Sequence, residues 1–346
     1  MVHGMKHPKA AATPLAALAA SPDTWRRSLH HQTAGYARSI TKSPPSPNQP
    51  RWIHVVIDQL YASLTSTRLN SKFFEAGFGF EASKEYGDLP TFHESAEEMR
   101  GMGRTLEEGA RIDMAKKLDV PPGVGIYEGS FDTPVLSTRR LLPWESKRAY
   151  VQYVVPKGHA RPARSAVVHL AATGDHGFSR RLLAYAMPLA TQHNVASVIL
   201  ESPFYGVRRP SFQNRSKLKT LSDLLLLGKA TIEESLYVLR WLEENAVSEE
   251  GNAISGVSMG GVHACMVASM HALGSHGRDE GDEGDDRVDR VDRDKKIGRG
   301  LALVPLLAPR SASEAYCRGA LRVGTSWEGL QVRSRSRCEV WSSDVD

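Results

Sequence analysis

Gly256-Val257-Ser258-Met259-Gly260-Gly261 sets one serine between two glycines, each two residues away. A serine hydroxyl is a weak nucleophile until the backbone presents it and a base takes its proton. The G-x-S-x-G spacing supplies the presentation. At a sharp strand-to-helix turn the serine adopts a strained conformation, its small neighbours avoid the turning chain, and the following helix aims its first amides at the serine. The chemistry expected of Ser258 is nucleophilic attack on a carbonyl, with Met259 N–H helping to hold the developing negative charge. A turn of small residues with no chemistry is the simpler alternative. The base is the difficulty, because such a serine normally works with a later histidine and the last one in the chain is His276.

Two further stretches bear on the same site. "HLAATGDHGF" (169–178) follows a run that reads as a buried strand, and its small residues suit a loop whose backbone approaches a substrate. Thr173 and its neighbours are expected to supply the second oxyanion amide. Asp175 and His176 either line the site or structure the loop through hydrogen bonds. "ESPFYGVRRP" (201–210) follows the next strand pattern, where open α/β sheets place their ligand crevice. Glu201, Tyr205, Arg208 and Arg209 are therefore expected near the mouth of the site. The two arginines could hold an anionic substrate group or serve as structural ion pairs.

Positioning these residues requires strands that end where the loops begin. "VQYVV" (151–155), "SAVVHLA" (165–171), "ASVILES" (196–202), "AISGVS" (253–258) and "LALVPLL" (301–307) read as strands buried mostly on both faces. Helical patterns at 179–193, 220–245 and 259–273 alternate with them, which predicts a mostly parallel α/β sheet with flanking helices. "TLSD" (220–223) is a near capping box, and Leu221, Leu225, Ile232, Leu236, Leu239 and Leu242 form an apolar stripe behind it. Upstream, Ile53, Val56, Ile57, Leu60, Tyr61 and Leu64 predict an amphipathic helix, and a second helix is predicted over 93–118.

The composition, 41% hydrophobic over 346 residues, supports a substantial core. A net charge of +5 with interleaved acids and bases argues against nucleic-acid binding. Three cysteines without C-x-x-C spacing argue against a disulfide framework and a zinc site and favour an intracellular, reducing compartment. No apolar run reaches the length of a spanning helix, which leaves peripheral contact as the form of membrane association to expect. Residues 1–50 carry six Lys or Arg against one acid, Asp23, and read as a disordered, transit-peptide-like extension compatible with a mitochondrial or plastid address. Residues 275–296, with nine acids and six bases, read as a disordered charged insertion.

Taken in order, "HLAATGDHGF", "ESPFYGVRRP", "SDLLLLGKATIEESLYVLRWLEE" and "GVSMGGVHACMVAS" resemble the α/β-hydrolase domain-containing protein 18 family, from about Ile53 to Leu330. The resemblance implies an α/β-hydrolase fold over 51–330, a serine nucleophile at Ser258 and a small-molecule or lipid ester as substrate. No cofactor or metal is implied. In that fold the acid and histidine follow the serine on loops after the last two strands. Here residues 331–346 are a divergent Arg/Ser-rich tail without a histidine. The expectation is a hydrolase core lacking its last strands, acid and base, and inactive as written. A catalytically silent binding or interaction protein is the alternative, and an enzyme using His176 as a substitute base is a third.

Overall fold

In a computed structural model of the chain, residues 71–79, 112–118, 123–157, 159, 163–245, 250–276 and 300–331 are described. The extension at 1–50, the helix expected at 53–64, the charged insertion apart from 275–276, and the tail from 332 lie outside the described residues.

Among the described residues seven strands form one sheet in the order β1-β2-β3-β5-β4-β6-β7. They are β1 (Asp113–Leu118), β2 (Val124–Asp132), β3 (Arg148–Pro156), β4 (Ala166–Leu170), β5 (Ala196–Leu200), β6 (Ala253–Val257) and β7 (Ala302–Leu306). The half of the sheet that carries the site is parallel: β4 pairs with β5 and β6, and β6 with β7. The other half is antiparallel, through β1–β2, β2–β3 and β3–β5. This is an α/β-hydrolase fold, mostly parallel in strand direction with helices on both faces.

The five strands read from sequence are present within three residues of their expected ends. The helix expected over 93–118 is corrected at its described end: Asp113–Leu118 is a strand paired to β2. Met-Ala-Lys-Lys-Leu has good helical propensity, and tertiary pairing overrides it. The pairing shifts register between Met114 and Lys116, as an edge strand tolerates. Strand β2 was not anticipated at all.

The short helix α1 (Leu136–Leu141) leads from β2 toward β3. Between β4 and β5, a turn at Ser179–Arg181 and a π-helical turn at Leu182–Ala186 run into α2 (Met187–His193). Helix α3 (Leu221–Glu244) precedes β6, and α4 (Met259–His276) follows it. Strand β5 shows how the sheet divides the core. Ala196, Val198 and Leu200 face one way with Ile232, Leu239 and Leu242 of α3 and Ala264 and Val267 of α4, while Ile199 faces the other way with Leu182, Met187 and Ala190.

Helix α3 starts at a complete capping box. Asp223 N–H donates to Thr220 Oγ1 at 3.2 Å and Thr220 N–H donates to Asp223 Oδ2 at 2.9 Å. Ile232, Leu239 and Leu242 are buried as expected, whereas Leu225 is 56% exposed and its neighbours Leu224, Leu226 and Leu227 are buried instead. The first turns of α3 pack on a second cluster around Phe73, Phe204 and Tyr316, so their apolar face is rotated from that of the later turns. Strand β7 also departs from expectation. Leu303 and Val304 are about two-fifths exposed, at 40% and 42%, because among the described residues β7 is an edge strand with β6 as its single neighbour.

Replacing Thr220 by alanine removes the cap hydroxyl from the first turn of α3. The expected cost is about 1 kcal/mol of unfolding free energy, read as a lower urea midpoint with an unchanged m-value.

Candidate active site

Ser258 sits between β6 and α4 with φ +55°, a left-handed conformation that a side-chain-bearing residue seldom adopts. Two anchors hold it there. Its own N–H donates to the Leu306 carbonyl of β7 at 2.8 Å, and its carbonyl accepts from Gly261 N–H at 3.0 Å and Val262 N–H at 3.2 Å, which closes the first turn of α4. The tight geometry needs glycine at 260, where a Cβ would come within 2.7 Å of the Leu170 carbonyl oxygen and 2.8 Å of that of Ala171. The helix start is thereby pressed against the end of β4. The Ser258 side chain remains partly open to solvent.

The loop after β4 faces this turn. Thr173 donates through its hydroxyl to Met259 Sδ at 3.6 Å, so the two residues named for the oxyanion site touch each other. Asp175 N–H closes a turn on the Ala172 carbonyl at 3.0 Å. Arg181, 3% exposed, fixes the rest of the loop. Its Nε donates to Asp175 Oδ2 at 2.9 Å, one terminal nitrogen donates to the carbonyls of His169 and Leu200, and the other to the Gly177 carbonyl at 2.7 Å.

Arg208 has the same role under the next loop, and this corrects its expected place at the mouth of the site. It is fully buried, bidentate to Glu234 at 2.6 and 2.8 Å, and donates further to the carbonyls of Glu201 and Ser146. Both terminal nitrogens are committed and Nε, though without a partner, is fully buried, so the guanidinium presents no donor at the mouth of the site. Tyr205 is likewise fully buried and forms a wall behind the site, its ring edge-on to His176 at 5.2 Å. Arg209 is exposed and lies near enough to His176 to disfavour a charge on it.

His176 accepts a hydrogen bond at Nδ1 from Gly206 N–H, 2.9 Å away. Its neutral ring therefore carries the proton on Nε2, and that nitrogen is a donor rather than a base. Burial, then Arg209 and Arg180, lowers its pKa to about 4 and keeps it neutral. Gly206 has φ +57°, and a Cβ there would overlap Glu201 Oε1, which accepts from Gly177 N–H at 2.9 Å. Burial raises the Glu201 carboxyl to about 7 against the opposing pull of Arg208 and Arg181. The other described histidines near the sheet also lie inward. His169 stacks on Tyr185 with Nε2 3.2 Å from Ser197 Oγ, and His263 packs against Gly228 of α3. Among the described residues no histidine hydrogen-bonds Ser258.

Residues not foreseen close the site from above. Phe73 pairs with Thr325 in an isolated parallel bridge, Phe74 N–H donates to the Leu218 carbonyl at 2.8 Å, and both rings pack on Tyr316. This aromatic cluster includes Met259. Its sequence signal is faint, since two adjacent phenylalanines and an isolated tyrosine have no periodicity.

Residues 71–339 match the alpha/beta hydrolase domain containing 18 family. The chain belongs to that family. Similar solved structures include an acetyl xylan esterase from Paenibacillus sp. R4, at 16% identity and TM-score 0.33, covering 51% of this chain and 55% of that one. A bacterial heroin esterase matches at 16% identity and TM-score 0.28, with coverage of 58% and 53%. A cold-adapted esterase from an Arctic intertidal metagenomic library matches at 15% identity and TM-score 0.32, with coverage of 45% and 59%. The chain spans about half the length of these structures. Family membership supports a hydrolase-type function. Among the described residues no cluster of His, Cys, Asp and Glu could hold a metal, and no helix is long and apolar enough to cross a membrane.

The buried ionisable groups set a pH dependence. His169, lowered to about 3 by burial and then by Arg181, His176, lowered to about 4, and His263, lowered to about 4 by burial, bind protons in the unfolded chain but not in the fold between about pH 4 and 6.5. Glu201 does the opposite between about pH 4.5 and 7. Three protons favour the unfolded chain at low pH against two favouring the fold, on Glu201 and on Asp223, whose carboxyl burial also raises, so unfolding free energy should rise with pH most clearly in the upper part of this window. The expected slope is on the order of 2 kcal/mol per pH unit, measured by urea unfolding at several pH values.

Proposed function

We propose that this chain carries the nucleophile and oxyanion half of a serine hydrolase acting on acyl esters, lipid esters included. The observation that carries the reading is the left-handed Ser258 at a strand-to-helix turn, pressed against the end of β4 through Gly260. In this reading Ser258 Oγ attacks the ester carbonyl, giving a tetrahedral intermediate. Met259 N–H and an amide at Thr173 take the charge on its oxygen, and collapse expels the alcohol and leaves an acyl-serine that water hydrolyses. His176 Nε2–H and Arg209 flank the substrate as donors.

Activation of Ser258 needs a base, and the geometry of His176 argues against that residue. The reading therefore takes the histidine and acid from outside the described residues. Without a base, an oxyanion site and binding alone retain only about 10³–10⁴-fold catalysis over water in related triads. A second reading, a silent ligand-binding protein, is supported by the same lack of a described histidine at Ser258.

Labelling by a fluorophosphonate probe separates the two readings. It would be run on this chain and on a form extended with the C-terminal strands of a relative, each with Ser258→Ala as control. Strong Ser258-dependent labelling of the extended form, and weak labelling of the chain as written, is the expected result. No labelling of either form would favour the silent protein, and equal labelling of both would require a base within these residues.

A further inference from the structure

Two tyrosine hydroxyls are buried beside the candidate oxyanion site with no hydrogen-bond partner among the described residues: those of Tyr205 and Tyr316. Tyr316 comes from the π-helical turn Glu314–Arg318 that follows β7 and is 7% exposed. Its ring is held edge-on to Phe73 at 5.4 Å and tilted against Phe74 at 5.1 Å, within the cluster that contains Met259. The position of its tip is therefore fixed by packing. That tip faces the Thr173 side chain without completing a hydrogen bond, and Tyr205, whose hydroxyl points toward the Gly174 backbone, stands next to it.

Among the described residues only the Thr173 side chain comes up to the Tyr316 hydroxyl, and it does not complete a hydrogen bond. Phenylalanine would make the same ring contacts and spare the desolvation of an unpaired polar atom. The nearest polar group, the Thr173 hydroxyl, is turned to Met259 Sδ, a weak acceptor that it can give up readily. Burial raises the phenol pKa, so the group stays an O–H donor at any working pH. A buried, oriented and unspent donor next to Thr173 and Met259 is the form that electrostatic stabilisation of an oxyanion takes.

Building on the acyl-transfer reading above, we propose that Tyr316 is a catalytic residue. Its hydroxyl donates to the ester carbonyl oxygen as that oxygen gains charge, completing the set begun by Met259 N–H and the Thr173 loop. No proton is transferred, and the bond made and broken at the carbonyl carbon is unchanged. Thr173 turns aside when the substrate oxygen arrives. Tyr205 stands behind Tyr316 as a positioning residue and does not touch the substrate.

The test is Tyr316→Phe in whichever of the two forms above reacts faster with the fluorophosphonate, since the phosphoryl oxygen of the probe occupies the same place. The rate constant at saturating probe should fall on the order of 10²-fold with half-saturation unchanged. Tm should hold or rise, because only an unpaired hydroxyl has been removed. Tyr237→Phe, in the other core cluster against Phe131, should leave the rate within a few-fold. A Tyr316→Phe protein that labels at the parental rate overturns this inference and leaves the proposed function standing. A lower Tm accompanied by weaker half-saturation would make the hydroxyl structural and also overturn it. Absence of Ser258-dependent labelling in both parental forms overturns the proposed function and this inference together.

Discussion

Parallel strands that end under a covered site leave backbone carbonyls which must be paired without water. At β4 and β5 two arginines meet that need. Arg181 reaches the carbonyls of His169 and Leu200, and Arg208 those of Glu201 and Ser146. The guanidinium suits the task because its planar fork offers five donors in fixed directions. Each charge is matched locally, by Asp175 at 2.9 Å and by Glu234 at 2.6 Å. Breaking a pair buried this deeply typically costs about 3–5 kcal/mol, since the remaining charge has no solvent. The loops bearing Thr173, His176 and Tyr205 therefore hang from two ionic anchors rather than from apolar packing alone. Glu234 extends the arrangement to Thr133, which ties α3 to the end of β2.

A second constraint is distance. Gly260 lets α4 come so close to β4 that a methyl group at that position would press on two carbonyl oxygens. That approach brings Met259 up to Thr173. A larger residue would push the elbow away from the loop opposite, and an oxyanion site that spans the two would widen with it. The anchors and the glycine act on the same gap from two sides: the arginines hold the loop down, and the missing side chain draws the helix in.

Much of this was legible in the sequence where one principle acts alone. The elbow follows from glycine spacing, and the cap of α3 from Thr220 and Asp223 at the required separation. The parallel strands follow from β-branched runs buried on both faces. Legibility fails where two environments compete for the same residues. Leu225 obeys the stripe of the later helix yet faces outward, because the first turns of α3 serve the Phe73–Tyr316 cluster and the later turns serve the sheet. β1 reads as a helix because its propensity is local and its partner strand is not. Arg208 follows a strand end, where exposure is the reasonable expectation. That it points inward depends on Glu234, which is 26 residues away. Tyr316 and Phe73 meet only through the fold, being far apart in the chain and outside any repeat.

On the acyl-transfer reading the groups assigned to the site with Ser258 are almost all donors. Met259 begins a helix, His176 presents Nε2–H, and Tyr316 retains its proton; the imidazole nitrogen that could have accepted a proton, His176 Nδ1, is occupied by Gly206 N–H. Glu201, a carboxylate close to both arginines, has its Oε1 occupied by Gly177 N–H and its charge opposed by burial. An environment of this kind stabilises negative charge on a substrate oxygen and does nothing to remove a proton from serine. On the acyl-transfer reading these are separable tasks, and electrostatic stabilisation of the oxyanion is commonly the larger of them. On that reading the described residues form the oxyanion half, whose geometry rests on their own arginines, glycine and aromatic cluster. A base brought to Ser258 from elsewhere would find that half already organised.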